Sequence, residues 1–409
     1  MLDFDNIKDL KIKKIISENE LNDVSNLYLY ALKVKKEKPD TVLKIRVVSP
    51  VTDEKINKLK ALDGLDNVKV LYKKNTFTIN EFISFNNKIN EIVQPVILHD
   101  LTPFETYLYF YDVVKSFKNY NDECDYSEAT ELKSVLDNNY INCLGFTRVF
   151  EELLERVNIE CVIVPRKTQN NDEELRFIKL DAHVRIMTHI VDKDYNINGY
   201  YIADPTWDNN VKENGTLTKN PYIYYNLICH DEEELEYDMF KLSREDFIFN
   251  VHNMEEFNEK FNIYLDRSLR ENQDEIVALR EMYLYSLKFL SCLDKDLFKK
   301  LTDKYFIEEV NKNKQAYYDY FTELECKLFN KVNKKISDET IKKALLSIEV
   351  KLGIYSSEEL DSYSKRIDKA FKNKDIYFPY LKDINNPNKR IEKNLKNEVE
   401  DISDGIKKR

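Results

Sequence analysis

The sequence predicts an α+β chain in three parts: a small α/β unit over residues 1–95, a helix packed on an antiparallel sheet over 96–250, and an all-helical domain over 251–409. Three observations lead there. In the first part, β-branched runs alternate with capped helical stretches. In the second, an amphipathic helix is followed by β-branched sequences of strand length. The third is rich in Lys and Glu, periodic at helical spacing and almost without glycine, so its tyrosine and phenylalanine stripes read as core. A chain of 409 residues is also too long for one ordinary core, which favours two or three domains.

In chain order, Thr41 to Val48 is β-branched and apolar, Thr52 with Asp53 and Glu54 starts a short helix, and Val68, Val70 and Tyr72 alternate as strand residues do. Thr78 and Glu81 form a capping box for a helix ending near Pro95. This unit holds neither cysteine nor histidine, and reads as scaffold or as a surface for a protein partner. A second capping box, Thr102 with Glu105 and with Pro103 at the first helical position, opens the middle part. Towards the C-terminus, Ser337, Asp338 and Glu339 start a helix that Gly353 ends, and Ser356 with Glu359 caps the next. These C-terminal helices are the other candidate surface for a protein partner, and from about Asn385 the sequence turns polar.

The 63 Lys+Arg against 74 Asp+Glu leave a net charge of −11. Such a balance repels phosphate backbones and anionic lipid heads, so neither nucleic acid nor membrane is expected as a partner. The first residues lack the apolar stretch of a secretory signal, and no run approaches the roughly 20 residues of a membrane span. A cytoplasmic location is expected, although delivery by a dedicated secretion system would leave no mark of this kind. The six cysteines, at 124, 143, 161, 229, 292 and 326, form no CxxC pair and read as free thiols. None of the six glycines sits in a GxGxxG or GxxxxGK arrangement, none of the five histidines belongs to HExxH, and GxSxG is absent. Nucleotide-binding, zincin and serine-hydrolase chemistry lose their usual support, and no cofactor or metal is expected.

Chemistry concentrates in the middle part. Forward from Cys143, apolar residues fall at Phe146, Val149, Phe150, Leu153, Leu154 and Val157, one face of a helix that Asn142 or its neighbours Asn138 and Asn139 start and Asn158 stops. Cys143 lies on that face at the helix start, where backbone N–H groups favour the nucleophilic thiolate. Gly145 clears the first turn for a substrate backbone. A buried free cysteine with glycine packed beside it is the commoner meaning of that pattern alone. Downstream, Ile159 to Val164 suits a strand, and AHVRIMTHIVD and YYIADPTWD read as antiparallel strands joined by a turn around Asn196 to Gly199. A turn centred near residue 195 sets His183 opposite residue 207, and one centred nearer 193.5 sets it opposite Asp204. Either way an imidazole and a carboxylate lie on neighbouring strands, as an Asp-oriented histidine needs.

The motifs NCLGF, DAHVRI and ADPTWD, carrying Cys143, His183 and Asp204 in that order, resemble the transglutaminase-like superfamily of papain-like thiol enzymes, and most of all a group of bacterial transglutaminase-domain proteins of unassigned activity. The resemblance covers roughly residues 100 to 210. It implies a helix packed on an antiparallel sheet, with Cys143 as nucleophile, His183 as base and Asp204 orienting it. It further implies a cysteine-dependent hydrolase or acyltransferase acting on an amide of a protein or peptide: a cysteine protease, a deamidase or a cross-linking transglutaminase. The family often has HAW where this chain has His183-Val184-Arg185, so Arg185 replaces an aromatic on the substrate side. Asn138, Asn139, Tyr140 and Asn142 are candidates for the oxyanion-hole donor upstream of the cysteine, beside the backbone N–H of Cys143. Trp207 is a candidate cleft wall or a core aromatic, Asp208 is the rival orienting carboxylate, and His189 is a second cleft group or a structural histidine. Zinc held by Cys143, His183 and Asp204 is chemically possible but has no supporting motif. The alternative from another class is a non-catalytic binding or scaffold protein that retains the fold.

Overall fold

The computed structural model describes residues 14–120, 131–136, 140–166, 183–206, 209, 241–242, 247–248, 275–305, 313–329, 336–356 and 359–373. Over these residues the chain is mixed helix and sheet, α+β in the broad sense.

The N-terminal unit runs β1 (Ile15–Ser17), a 3-10 turn, α1 (Val24–Glu37), β2 (Leu43–Arg46), α2 (Asp53–Lys60), β3 (Val68–Tyr72), β4 (Asn75–Phe77) and α3 (Ile79–Leu98). Its sheet has the order β1-β2-β3-β4, with β4 antiparallel to β3 and the other pairs parallel. The local signals are met: Thr52 accepts from Lys55 N at 3.3 Å, and the Thr78–Glu81 box is closed in both directions. Two bounds differ from the sequence reading. The strand begun at Thr41 is confined to Leu43–Arg46. The helix expected to end near Pro95 continues to Leu98, because a proline in the last turn removes one helical N–H while its carbonyl still accepts from His99 N at 3.1 Å.

The middle part contains α4 (Pro103–Lys115), β5 (Asn119–Tyr120), α5 (Leu132–Val135), β6 (Tyr140–Ile141), α6 (Cys143–Arg156), β7 (Cys161–Arg166), β8 (His183–Asp192) and β9 (Ile197–Ala203). After the short pair β10 (Lys241–Leu242) and β11 (Phe247–Ile248) come α7 (Glu275–Leu293), α8 (Lys295–Lys304), α9 (Lys314–Phe329), α10 (Asp338–Lys351) and α11 (Leu360–Asn373). Strands β7, β8 and β9 form an antiparallel sheet with β8 in the centre.

Both faces of that sheet are covered. Ile186, Ile190, Tyr201 and Ala203 join Phe146, Val149, Phe150 and Leu153 of α6 in a core that runs unbroken into the N-terminal unit and out to Ile341, Ile348 and Ile367 of α10 and α11. On the other face Met187 and Tyr200 pack with Leu279, Tyr283, Leu290, Leu297 and Tyr320 of α7, α8 and α9. Packing therefore crosses the boundaries read near residues 95 and 250, and the C-terminal helices divide between the two sides. Among the described residues no helix is long and apolar enough to cross a membrane.

A buried charge network joins α6 to the N-terminal sheet. Lys73 and Lys74 both have positive φ (42° and 68°), the backbone of a two-residue I′ hairpin turn between β3 and β4. That turn aims Lys73 at Glu152, with Nζ 2.9 Å from Oε2, while Arg156 Nε reaches Glu152 Oε1 at 2.8 Å and the Tyr72 hydroxyl donates to Oε1 at 2.9 Å. Burial alone would push the Glu152 carboxyl up; the Lys73 ammonium and the Arg156 guanidinium outweigh it and hold it below the usual carboxylate range. Stabilisation from a carboxyl so depressed is complete above the ordinary glutamate range and is lost as pH falls through the folded-state value. Lys73→Met should cost about 3 kcal/mol in urea unfolding at neutral pH, since it leaves a buried carboxylate without its first cation. The gap from wild type should narrow in acid as Glu152 protonates.

Candidate active site

Helix α6 forms where the sequence places its caps. Asn142 has extended backbone, its side chain accepts from Gly145 N at 3.1 Å, and its carbonyl accepts from Phe146 N at 3.0 Å. At the other end Asn158 takes the left-handed conformation (φ 59°) that closes a helix. Phe146, Val149, Phe150, Leu153 and Leu154 are all buried, as their spacing implied. Cys143 is the first helical residue and half-buried. Gly145 is buried with its N–H on the cap. Because Asn142 Oδ1 serves that cap, Nδ2 is the part of this amide suited to donate to a ligand oxygen.

One contact relates this helix start to the sheet. The Thr147 hydroxyl reaches back to the Cys143 carbonyl at 2.8 Å and lies 3.5 Å from the carbonyl of Val184. Val184 follows His183, so the first turn of α6 abuts the first residues of β8. Of His183 the backbone is described: it opens β8 opposite Arg166 of β7. At the far end of β8, Asp192 Oδ2 accepts from Phe104 N at the start of α4 at 2.9 Å, which fixes the strand against that helix.

The hairpin turn occupies residues 193–196, with Asn196 at φ 53°, and Gly199 lies within β9 opposite Ile190. The turn expected around Asn196 to Gly199 is thus displaced towards the N-terminus. Asn196 supplies the turn's left-handed residue. Ile186 pairs with Ala203, so one further step brings Arg185 level with Asp204, and three bring His183 level with Thr206. The register falls between the two options open from the sequence, and it changes the partner of Asp204. Arg185 Nε lies 3.3 Å from Asp204 Oδ2, with both side chains buried. Asp204 Oδ1 accepts from Thr206 N at 3.1 Å, and the Tyr111 hydroxyl of α4 donates to the Asp204 carbonyl at 3.2 Å. Arg185, expected beside the substrate, is only 3% exposed and turned onto that carboxylate.

The structure therefore brings Cys143 close to the start of β8 and fixes Asp204 at the end of β9, held by Arg185 and its own turn. Asn138, Asn139, Trp207 and Asp208 lie outside the described residues, and Tyr140 contributes its backbone to β6, parallel to β5. His189 lies near Glu160 and Asp294, on the face of the sheet turned away from Cys143, and position 183, six residues before it on β8, is in phase with it along the strand. Sequence reading passed over Glu160, Asp294 and Tyr200, which no short-range pattern connects to His189. No protein-family model matches this chain, and no curated protein does.

Chemically, the arrangement offers a half-buried thiol beside the N–H groups of a helix start and a buried carboxylate already neutralised by a guanidinium. Arg185→Met should lower stability by about 3 kcal/mol or more, because it strands the Asp204 charge in the interior. Cys143→Ala, at a half-exposed first helical position, should change stability by no more than about 1 kcal/mol. Chemical unfolding of the two variants beside wild type measures both, and the contrast separates residues that hold the fold from one that the fold can spare.

Proposed function

We propose that this chain is a thiol-dependent acyl-transfer enzyme with a transglutaminase-like core, acting on an amide bond of a protein or peptide. The observation that carries the reading is the placement of Cys143 at the first position of α6, in a helical turn that Thr147 ties to the strand opened by His183. In the proposed reaction the Cys143 thiolate adds to the amide carbonyl, and helix-start N–H groups, with the Asn142 amide as a further candidate, take the negative charge that develops on oxygen. His183, holding the thiol proton, gives it to the departing amine as the C–N bond breaks, leaving a thioester on Cys143. Water then releases the acid, as in proteolysis or deamidation; an amine attacking instead forms a cross-link. Asp204 would orient His183, with Arg185 as a further partner of the carboxylate.

A second reading has observations of its own. The Asp204 carboxylate already has a guanidinium and a backbone N–H as partners, and position 183 is in phase along β8 with Met187, which packs away from α6; both suit a non-catalytic scaffold that retains this fold.

An activated ester distinguishes the two. With p-nitrophenyl acetate the acyl-transfer reading predicts a burst of nitrophenolate equal to the enzyme present and an acetyl group on Cys143. Cys143→Ala should abolish the burst, and His183→Ala should slow acylation by at least about a hundredfold. A burst that survives in Cys143→Ala, or none in wild type, favours the scaffold.

A further inference from the structure

We infer that Glu160, His189 and Asp294 form a binding site for a divalent transition-metal ion, zinc by the chemistry of the donors, at the seam between the sheet and the C-terminal helices. It lies on the opposite side of the sheet from Cys143 and is independent of the acyl-transfer reading.

The geometry is that of three donors converging without bonding to one another. His189 Nδ1 is 3.6 Å from Glu160 Oε2 and 3.8 Å from Asp294 Oδ2, and the three ligand atoms all lie within 4.8 Å of one another. The two nitrogen-to-oxygen distances are too long for hydrogen bonds. They are close to the roughly 3.3 Å that separates two ligand atoms each bound about 2.0–2.1 Å from a tetrahedral zinc. The His189 side chain is only 10% exposed, and its Nε2 is buried without a hydrogen-bond partner. Two carboxylates facing Nδ1 repel each other, and neither is close enough to hydrogen-bond it. A divalent cation among them gives Nδ1 a partner and neutralises both carboxylates. One nitrogen and two oxygens are a zinc donor set, with the remaining position left to water or substrate.

Each ligand is oriented by a separate contact, as ligands of built sites are. The His189 backbone N–H donates to the Glu160 carbonyl at 2.9 Å, holding the two residues side by side. Asp294 caps α8, with Oδ1 accepting from Leu297 N at 2.8 Å, while its Oδ2 takes a short hydrogen bond from the Tyr200 hydroxyl. Tyr200 is also the cross-strand neighbour of His189, their ring centroids 4.8 Å apart. Glu160 Oε2 accepts from Lys295 N at 3.2 Å. The Lys295 ammonium, 3.6 Å from Glu160 Oε1, is 67% exposed and answers only the outer oxygen. Glu160, 20% exposed, is the ligand nearest solvent. Glu160 and His189 belong to the sheet side and Asp294 to the junction of α7 and α8, so a bound ion would staple the helices to the sheet.

The test is calorimetric titration of the chelator-stripped 409-residue chain with zinc chloride, with thermal unfolding in parallel. One zinc per chain and a higher melting temperature are expected. His189→Ala and Glu160→Gln should each weaken binding by about a hundredfold or more, and Tyr200→Phe, which removes the hydroxyl that donates to Asp294 Oδ2, by about tenfold. Glu160→Gln changes a partly exposed side chain and keeps the test valid if His189→Ala fails to fold. Cobalt in place of zinc should show no thiolate charge-transfer band. Absence of stoichiometric binding overturns the inference. So does binding that persists in both ligand variants or is lost in Cys143→Ala.

Discussion

Strand β8 is buried on both faces, and the rest of the molecule follows from that constraint. Its even-numbered residues Ile186 and Ile190 face α6 and the N-terminal unit, while Met187 faces α7, α8 and α9. A half-buried strand would alternate apolar with polar; this one places Arg185, Met187 and His189 on its second face and must cover all three. Full burial of one large apolar side chain is worth roughly 1.5–3 kcal/mol, so Met187 and Tyr200 alone give the C-terminal helices a reason to dock. The polar members of that face then require partners, and each has acidic neighbours: Asp204 beside Arg185, Glu160 and Asp294 beside His189.

The position of Cys143 is fixed from the far end of its helix. Apolar packing lets a helix slide or rotate at modest cost, whereas Glu152, fully buried and engaged by Lys73, Arg156 and Tyr72, accepts one orientation. Buried charge of this kind contributes little net stability but penalises every alternative arrangement, a specificity role that suits a helix whose first residue must meet the start of β8. At the near end the Asn142 cap and the Thr147 hydroxyl complete the constraint.

Much of the fold was legible because its signals are local. The capping boxes at Thr78 and Thr102, the Asn142 and Ser337 caps, and the stops at Asn158 and Gly353 are each written within a few residues, and each forms. What the sequence concealed is relational. Helical periodicity tells which face of α10 or α7 is buried but not against what, so a single C-terminal bundle and two separate docking faces look alike in one dimension. The β8–β9 register depended on where a four-residue turn falls, and an asparagine rather than the nearby glycine took the left-handed position. That choice of one residue sets Arg185, not His183, level with Asp204. The Lys73-Lys74 turn carried no hairpin signal, since both residues adopt positive φ without the usual asparagine or glycine.

The account depends most on whether Cys143 is an activated thiol, and the chain carries its own controls. Cys292 and Cys326 are exposed, and burial pushes the Cys161 thiol well up. The relative rates of alkylation by limiting iodoacetamide near neutral pH, read site by site by mass spectrometry, measure activation directly. The account predicts that Cys143, although less exposed, is labelled ahead of Cys292 and Cys326, with Cys161 last. Labelling that simply follows exposure, with Cys292 and Cys326 first and Cys143 behind them, would contradict it.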